Sequence, residues 1–470
     1  MEKFSKSFLS ILGGILFTAI NLVNLSYYNQ EYFPFSLGFI KKIGLSFLFV
    51  LSSFIGLKII QWLIKQINTE NSIFMILGLA FILRLAWVIF VRTPPTQDYL
   101  QLLKASQAFA NGNYDYTQTN RYLELYPYMN GFVIYQGLLL KLFFSNLFVL
   151  KLINCLFSVG TVYFLMKIAL HLFGEKTSII AGLLLALYIP NIVLTSVLTN
   201  DIVATFLFYL AFYLIICAPL NMKKALFIGF FLFLGNIIRP MASVILLALA
   251  LYGLFILLSQ QEKKVSFFIS FGTIFLTFFT MSFGTDQLLL KTGLATQSGQ
   301  STNLYWKIAL GLNQETNGKW NQEDYDYVTA GKTPTLRDKY AKQLVSKRLN
   351  APKKLARLMK KKFMIMWGDF DTSISWATKK TDIPRWSIVL LTVIQKCEYM
   401  IISFGALKIF WQKDLPDGFY FLLIVIIGYV LVHQLIEIQT RYRYLIMPLF
   451  MLFAGKGLEV SSLNLKKGND

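Results

Sequence analysis

Charge is what this 470-residue sequence has least of: Asp, Glu, Lys and Arg make up 15% of it, against about 25% in an ordinary soluble domain. Cysteine and histidine are scarce too, with three Cys and two His. Cys155, Cys217 and Cys397 each stand alone within an apolar run. They read as small core residues and exclude a disulfide framework or a cysteine-rich metal centre. His171 and His433 lie far apart, so no His/Cys ligand pattern is present either. The sequence has no internal repeat and no low-complexity segment. Acids are outnumbered, 24 Asp and Glu against 45 Lys and Arg, giving a formal net charge of +21. The surplus lysines sit mostly in short clusters beside apolar runs, where they set topology and meet anionic lipid headgroups. Membrane lipids are thus expected partners, and nucleic acid is not.

What remains is hydrophobic: 56% of residues are apolar and 16% aromatic. Repeated apolar runs of roughly 17–25 residues predict an all-α polytopic membrane protein. Lys3 and Lys6 precede the first run as in a signal peptide, but no small-residue cleavage site follows, so we read an uncleaved anchor. With those lysines inside, the first span exits near Tyr28 and about twelve spans follow from the pattern. They are residues 8–25, 43–64, 73–91, 147–169, 178–197, 202–217, 225–238, 241–258, 265–283, 388–410, 419–435 and 444–453. Inner turns near Lys65, Lys223-Lys224, 261–264 and 411–417 and the tail lysines Lys466-Lys467 put both ends in the cytoplasm. The apolar stretch 131–144 is short of the ~20 residues a span needs. As an interfacial helix it keeps Lys167 and Lys176 inside.

Four regions follow: accessory helices 1–72, a core 73–283 with a large outer loop 92–146, an extracytoplasmic region 284–385, and closing spans 386–470. The third region carries a lysine-rich helical stretch, 336–362, interrupted by Pro352. On the outside it suits a basic amphipathic element at the lipid surface.

On this topology the unusual polar residues gather on one face. Asp98 follows the third span within RTPPTQDYL; Asn200-Asp201, Arg239, Arg441 and Arg443 also fall at the outer edge. Ionisable groups near membrane depth are costly and therefore functional suspects. A carboxylate can serve as general base on a hydroxyl, and guanidinium groups can hold a leaving phosphate. That combination suits sugar transfer from a polyprenyl-phosphate donor at the lipid–water boundary. Plainer readings exist for each residue. Asp98 and Asp201 could cap helices starting at Tyr99 and Ile202. Arg239 could snorkel to headgroups, and Arg441 and Arg443 could belong to an aromatic belt. Glu124 and Tyr126 are candidate acceptor contacts, with loop packing as the alternative. His433 reads as a buried hydrogen-bonding residue, and Asp369 and Asp371 as turn acids more than a cation site. No organic cofactor is expected, and no metal ligand set is assigned; a divalent ion is left open.

The order of motifs resembles the integral-membrane GT-C superfamily of glycosyltransferases, close to the bacterial relatives of protein O-mannosyltransferases and aminoarabinose transferases. The elements are Gln97-Asp98, YPYMNGFVIYQ at 126–136, LFG with a basic residue at 172–176, TND at 199–201 after Pro190, NIIRP at 236–240 and RYRYLIMP at 441–448. The resemblance implies that Asp98 is the first-loop catalytic acid and Asp201 a second acid supporting the site. It also implies that Arg239, Arg441 and Arg443 contact the donor phosphate. Here the first loop has one acid where many relatives show a pair, no HPP motif follows, and two additional spans precede the family's usual first helix. The expected function is transfer of a sugar from a polyprenyl-phosphate donor to a cell-envelope glycan, polymer or lipid at the outer face of a bacterial plasma membrane. A flippase or transporter of lipid-linked sugars would instead carry polar groups mid-span and inverted repeats, whereas the spans read as largely apolar. A non-enzymatic envelope-complex partner would tolerate Asp98→Asn.

Overall fold

In hydrocarbon every peptide N–H and C=O must find a partner within the protein, and this chain does so with helices. The computed structural model describes residues 2–26, 39–66, 71–217, 219–259, 264–295, 298 and 304–463, and no strand occurs among them. Tyr28, most of the 261–264 turn and the tail lysines of the expected topology lie outside the described residues. The chain begins with α1 (Glu2–Ser26), α2 (Phe39–Gln66), α3 (Ser72–Phe90) and α4 (Gln97–Ala110). Two short turns, α5 (Tyr116–Thr119) and α6 (Arg121–Leu125), lead to α7 (Asn130–Leu142), which packs on α4. At about 1.5 Å per residue α7 is roughly 20 Å long, short of the ~30 Å hydrocarbon core, as its sequence predicts.

The central bundle continues with α8 (Leu147–Phe173), α9 (Glu175–Leu187), α10 (Ile189–Val193), α11 (Asp201–Ile216), α12 (Met222–Ile238), α13 (Ala242–Ser259) and α14 (Lys264–Lys291). A polar region follows: α15 (Leu304–Gly311), α16 (Gln322–Thr329), α17 (Pro334–Leu349), α18 (Pro352–Gly368) and α19 (Ser373–Thr378). The chain closes with α20 (Arg385–Lys408), α21 (Asp417–Leu435) and α22 (Met447–Leu463). Among the described residues six helices are long and apolar enough to cross a membrane, seven if the bent pair α9–α10 is one span. The other expected spans fall on α2, α11, α12, α13 and α22, so the protein is an all-α, multi-pass membrane protein.

Small residues set the closest approaches, as they must where lipid is as apolar as a leucine side chain. A Cβ on Gly457 of α22 would lie 1.9 Å from the Gly405 carbonyl of α20, and one on Gly455 would lie 2.9 Å from the Thr177 carbonyl of α9. α22 is thereby clamped between α20 and α9.

Three expectations are corrected. The span 178–197 is not continuous: Glu175–Leu187 and Ile189–Ser196 meet at 58°. Pro190 has no N–H to offer the Ala186 carbonyl, so the helix breaks there. The freed groups are satisfied from neighbouring helices. Arg84 of α3 donates to the carbonyls of Leu185 and Ala186 at 3.1 and 3.0 Å, while the Ile189 N–H donates to Glu398 of α20 at 3.0 Å. Second, the spans are therefore not uniformly apolar. Arg84 and Lys396 are fully buried, and Lys396 donates to the Gly368 carbonyl at 2.6 Å. Third, the lysine-rich stretch, divided at Pro352 into α17 and α18 as its sequence predicts, is not exposed throughout. Lys353, Lys354, Arg357, Lys360 and Lys361 of α18 are exposed, but Lys362 is fully buried.

Candidate active site

The Thr199-Asn200-Asp201 turn builds the centre. Asp201 opens α11, where the positive end of the helix dipole favours an anion. Thr199 donates its hydroxyl to Asp201 Oδ2 at 2.7 Å and accepts the Asp201 N–H at 3.2 Å; Tyr99 in turn donates to Thr199 at 3.0 Å. Asn200 donates to the Ile238 carbonyl at 2.9 Å, tying the start of α11 to the end of α12. The next residue, Arg239, precedes Pro240 and is held extended. Its Nη1 lies 2.6 Å from Asp201 Oδ1. Arg441 Nη1 lies 3.0 Å from the other oxygen, Oδ2. Asp201 is only 3% exposed, so the two guanidinium groups are what make its buried charge tolerable. It does not cap α11 with its side chain.

Arg441 sits among aromatic rings. Its guanidinium carbon is 5.3 Å from the Tyr99 ring centroid, 5.2 Å from that of Trp376 and 5.7 Å from that of Tyr442, within cation–π range. Its backbone N–H donates to the Thr372 hydroxyl at 3.2 Å. Its Nε–H has no acceptor among the described residues.

Asp98 lies in the first turn of α4, next to Gln97, whose φ of +49° is left-handed. Such a backbone costs about 1–3 kcal/mol and collects at functional sites. Asp98 keeps part of its surface exposed but is walled in at its carboxyl; it makes no hydrogen bond or ion pair among the described residues, so it is not a helix cap. The surrounding walls push its carboxyl above the usual carboxylate range, against the pull of Arg441 and Lys307 and with Glu437 assisting. Lys307 Nζ and Glu437 Oε2 form a 2.6 Å pair, with Lys307 also 4.8 Å from the Tyr126 ring centroid. Burial opposes the Lys307 charge, yet Glu437 and the nearby tyrosines hold it well above the usual range. The cleft thus collects three acids, Asp98, Asp201 and Glu437, and four cations, Arg239, Arg441, Lys307 and Lys379, beside Tyr99, Trp376 and Tyr442.

Of the residues singled out from sequence, Asp201, Arg239 and Arg441 are in contact, and Asp98 faces the same cleft. Arg443 points elsewhere: fully buried, it donates to the carbonyls of Thr440 and Asp369 at 3.0 Å and lies 3.5 Å from Asp371. Asp371 is thus a buried acid facing an arginine. Glu124 pairs with Arg337 at 3.3 Å, and Tyr126 accepts the Trp306 indole N–H at 3.1 Å. Tyr126 belongs to a small core joining α6 to α15 and α17, and the Glu124–Arg337 pair links the same α6 and α17. His433 is buried with Nδ1 2.8 Å from the Tyr429 carbonyl. Sequence reasoning missed Tyr99, Trp376, Tyr442, Lys307 and Glu437. Tyr442 and Glu437 flank Arg441 in EIQTRYRY and could have been included with it; Lys307 has no local signal. Among the described residues no group of three His, Cys, Asp or Glu side chains is arranged to hold a metal ion.

No model of a known protein family matches the chain, and no curated protein matches it. Similar solved structures include the Archaeoglobus fulgidus oligosaccharyltransferase tethered to an acceptor peptide, with TM-score 0.48 and 13% identity over 85% of this chain. They also include the archaeal oligosaccharyltransferase AglB from Archaeoglobus fulgidus with an inhibitory peptide and a dolichol-phosphate, with TM-score 0.47 and 12% identity over 85% of this chain. The chain spans about half the length of these, 51% in each case. ArnT from Cupriavidus metallidurans, bound to undecaprenyl phosphate, is similar at TM-score 0.37 and 12% identity, over 85% of this chain and 79% of that one.

Proposed function

We propose that the cleft transfers a sugar from a polyprenyl-phosphate donor to a cell-envelope glycan, polymer or lipid at the outer face of the plasma membrane. The observation that carries this reading is a contrast between two acids. Asp201 is neutralised between Arg239 and Arg441, whereas Asp98, within the field of the same Arg441, makes no hydrogen bond or ion pair among the described residues.

The chemistry follows from that contrast. Asp201 uses one N–H of each arginine and so aims the two guanidinium groups, leaving further donors for a phosphate. Asp98 takes the proton of the acceptor hydroxyl. The acceptor oxygen then attacks the anomeric carbon, the bond from that carbon to the phosphate oxygen breaks, and the electron pair leaves on polyprenyl phosphate. Arg239 and Arg441 stabilise the charge that develops there. A carboxyl held above its usual range is a stronger base than a solvated one, which suits this role. Tyr99, Trp376 and Tyr442 offer faces for sugar and stem packing. The order of motifs that resembles GT-C glycosyltransferases supports the same assignment.

A flippase needs polar groups mid-span that can change partners. Here Arg84 and Glu398 are occupied by the peptide groups of the broken α9–α10 span, which favours the enzyme. The test is transfer from labelled polyprenyl-phosphate sugars in membranes holding the full chain or its Asp98→Asn variant. Loss of transfer with donor binding retained supports the proposal. Equal transfer removes Asp98 from the chemistry, and no transfer by the parent protein from any donor removes the enzyme reading.

A further inference from the structure

Lys362 is the one lysine of the basic α18 cluster that turns inward. Its Nζ donates to the carbonyls of Gly311 at 2.9 Å, Gln434 at 2.6 Å and Ile436 at 2.8 Å. An ammonium has three N–H groups, and all three are used. Gly311 ends α15, while Gln434 and Ile436 lie at and just past the end of α21. These are the carbonyls that helix ends leave without partners, at the negative ends of two helix dipoles.

The two helix ends meet closely because Gly311 lacks a side chain: a Cβ there would fall 2.2 Å from the Leu435 carbonyl. The contact then continues as main-chain pairing. The Glu437 N–H donates to the Lys307 carbonyl at 3.0 Å, and the Ile438 N–H to the Gly318 carbonyl at 2.9 Å. Three residues beyond Ile438 comes Arg441, and one residue before it comes Glu437, the partner of Lys307. The cleft cations Arg441 and Lys307 are therefore both mounted on the pair of segments that Lys362 clasps.

We propose that Lys362 is a positioning residue for the transfer reaction, its buried ammonium fixing residues 434–438 against α15 and so setting Arg441 over Asp201. The clasp itself rests on geometry; its effect on turnover rests on the function proposed above. A methionine of similar length fills the space but leaves three buried carbonyls without a donor, which is unfavourable. The segment then relieves itself by separating from α15.

The experiment compares the full chain with Lys362→Met, Lys362→Arg and the exposed control Lys353→Met, using amide hydrogen exchange and transfer kinetics. In Lys362→Met we expect exchange at Glu437 and Ile438 to rise at least tenfold, with exchange in α8 and α9 unchanged. We expect donor KM to rise and kcat to fall, each several-fold, with Lys353→Met like the parent. A residue that only stabilised the fold would lower the active fraction and leave donor KM unmoved. Gly311→Ala, which keeps Lys362 but forces α15 off the same carbonyls, should give the same exchange pattern and decides the matter if Lys362→Met does not accumulate. Parental exchange at Glu437 and Ile438 in Lys362→Met and Gly311→Ala overturns the clasp. Raised exchange with unchanged kinetics overturns its positioning role. If the parent protein transfers no sugar, the function proposal fails while the exchange data still judge the clasp.

Discussion

Arg441 and Arg443, two residues apart, serve two different carboxylates: Arg441 meets Asp201 at 3.0 Å and Arg443 meets Asp371 at 3.5 Å. The segment Thr440–Leu445 is a 3-10 helix, with three residues per turn, so a spacing of two puts side chains on different sides. One arginine faces the cleft and the other fastens the turn at 369–371. Substitution separates the roles. Arg443→Met leaves Asp371 buried and unpaired, and we expect a loss of about 3–5 kcal/mol of stability, seen as a lower unfolding midpoint. Arg441→Gln leaves Asp201 paired with Arg239. It should raise donor KM by roughly 10-fold or more, the worth of a charge-assisted contact, with a smaller change in midpoint.

Asp98→Asn should reduce transfer by about 10²–10⁴-fold, the usual contribution of a general base. The parent should show an acidic limb in kcat/KM, the rate falling as pH drops through a midpoint above the ordinary aspartate value near 3.9. The sign for stability is opposite. Because the folded protein holds this proton more tightly than the unfolded chain, ionising Asp98 costs stability as pH rises past the ordinary carboxylate range. At pH 7 the Asn variant should therefore melt no lower than the parent. A lower melting temperature with proportionate loss of activity would mean that Asp98 supports the fold and does not act on the acceptor.

Asp201 should behave as the hub of a buried triad. Asp201→Leu strands two guanidinium groups and should cost about 3–5 kcal/mol. The combined variant Asp201→Leu, Arg239→Met, Arg441→Met removes all three charges and should recover much of that stability while remaining inactive. Thermal unfolding beside a donor-binding assay checks both halves.

Arg84→Leu should destabilise without touching the cleft. It leaves the Leu185 and Ala186 carbonyls without donors, at about 1–3 kcal/mol per stranded group. Donor KM of the surviving protein should match the parent's, and a raised KM would contradict this.

Most of the architecture was legible because membrane spans announce themselves by length and composition. Each expected stretch lies on a helix, and 131–144 is the short α7 its length predicts. Departures arise where one residue breaks a local rule and is repaired from far away. Pro190 signals a break, but nothing nearby says that Arg84 and Glu398 will close it. Lys362 was hidden among like neighbours, although Leu355, Leu358, Met359, Lys362, Ile365 and Met366 follow helical spacing along one face. That spacing would have placed it inside. At the cleft, Asp98, Asp201, Arg239 and Arg441 stood out because charge is rare at a membrane edge. Lys307 and Glu437 did not, since each looks ordinary in its own stretch and they meet only through the docking of α15.

The break between α9 and α10 also bears on how the protein is made. The Ile189 N–H finds its acceptor in Glu398, 209 residues later in the chain. At synthesis rates of about 5–20 residues per second this is a wait of roughly 10–40 s. For that interval the kinked span holds a polar peptide group that hydrocarbon does not solvate, and it has reason to stay with the insertion machinery until α20 arrives. Nascent chains ending before residue 398 should accordingly remain bound to the translocon and be cleared by membrane proteases, while chains a few dozen residues longer are released into the bilayer.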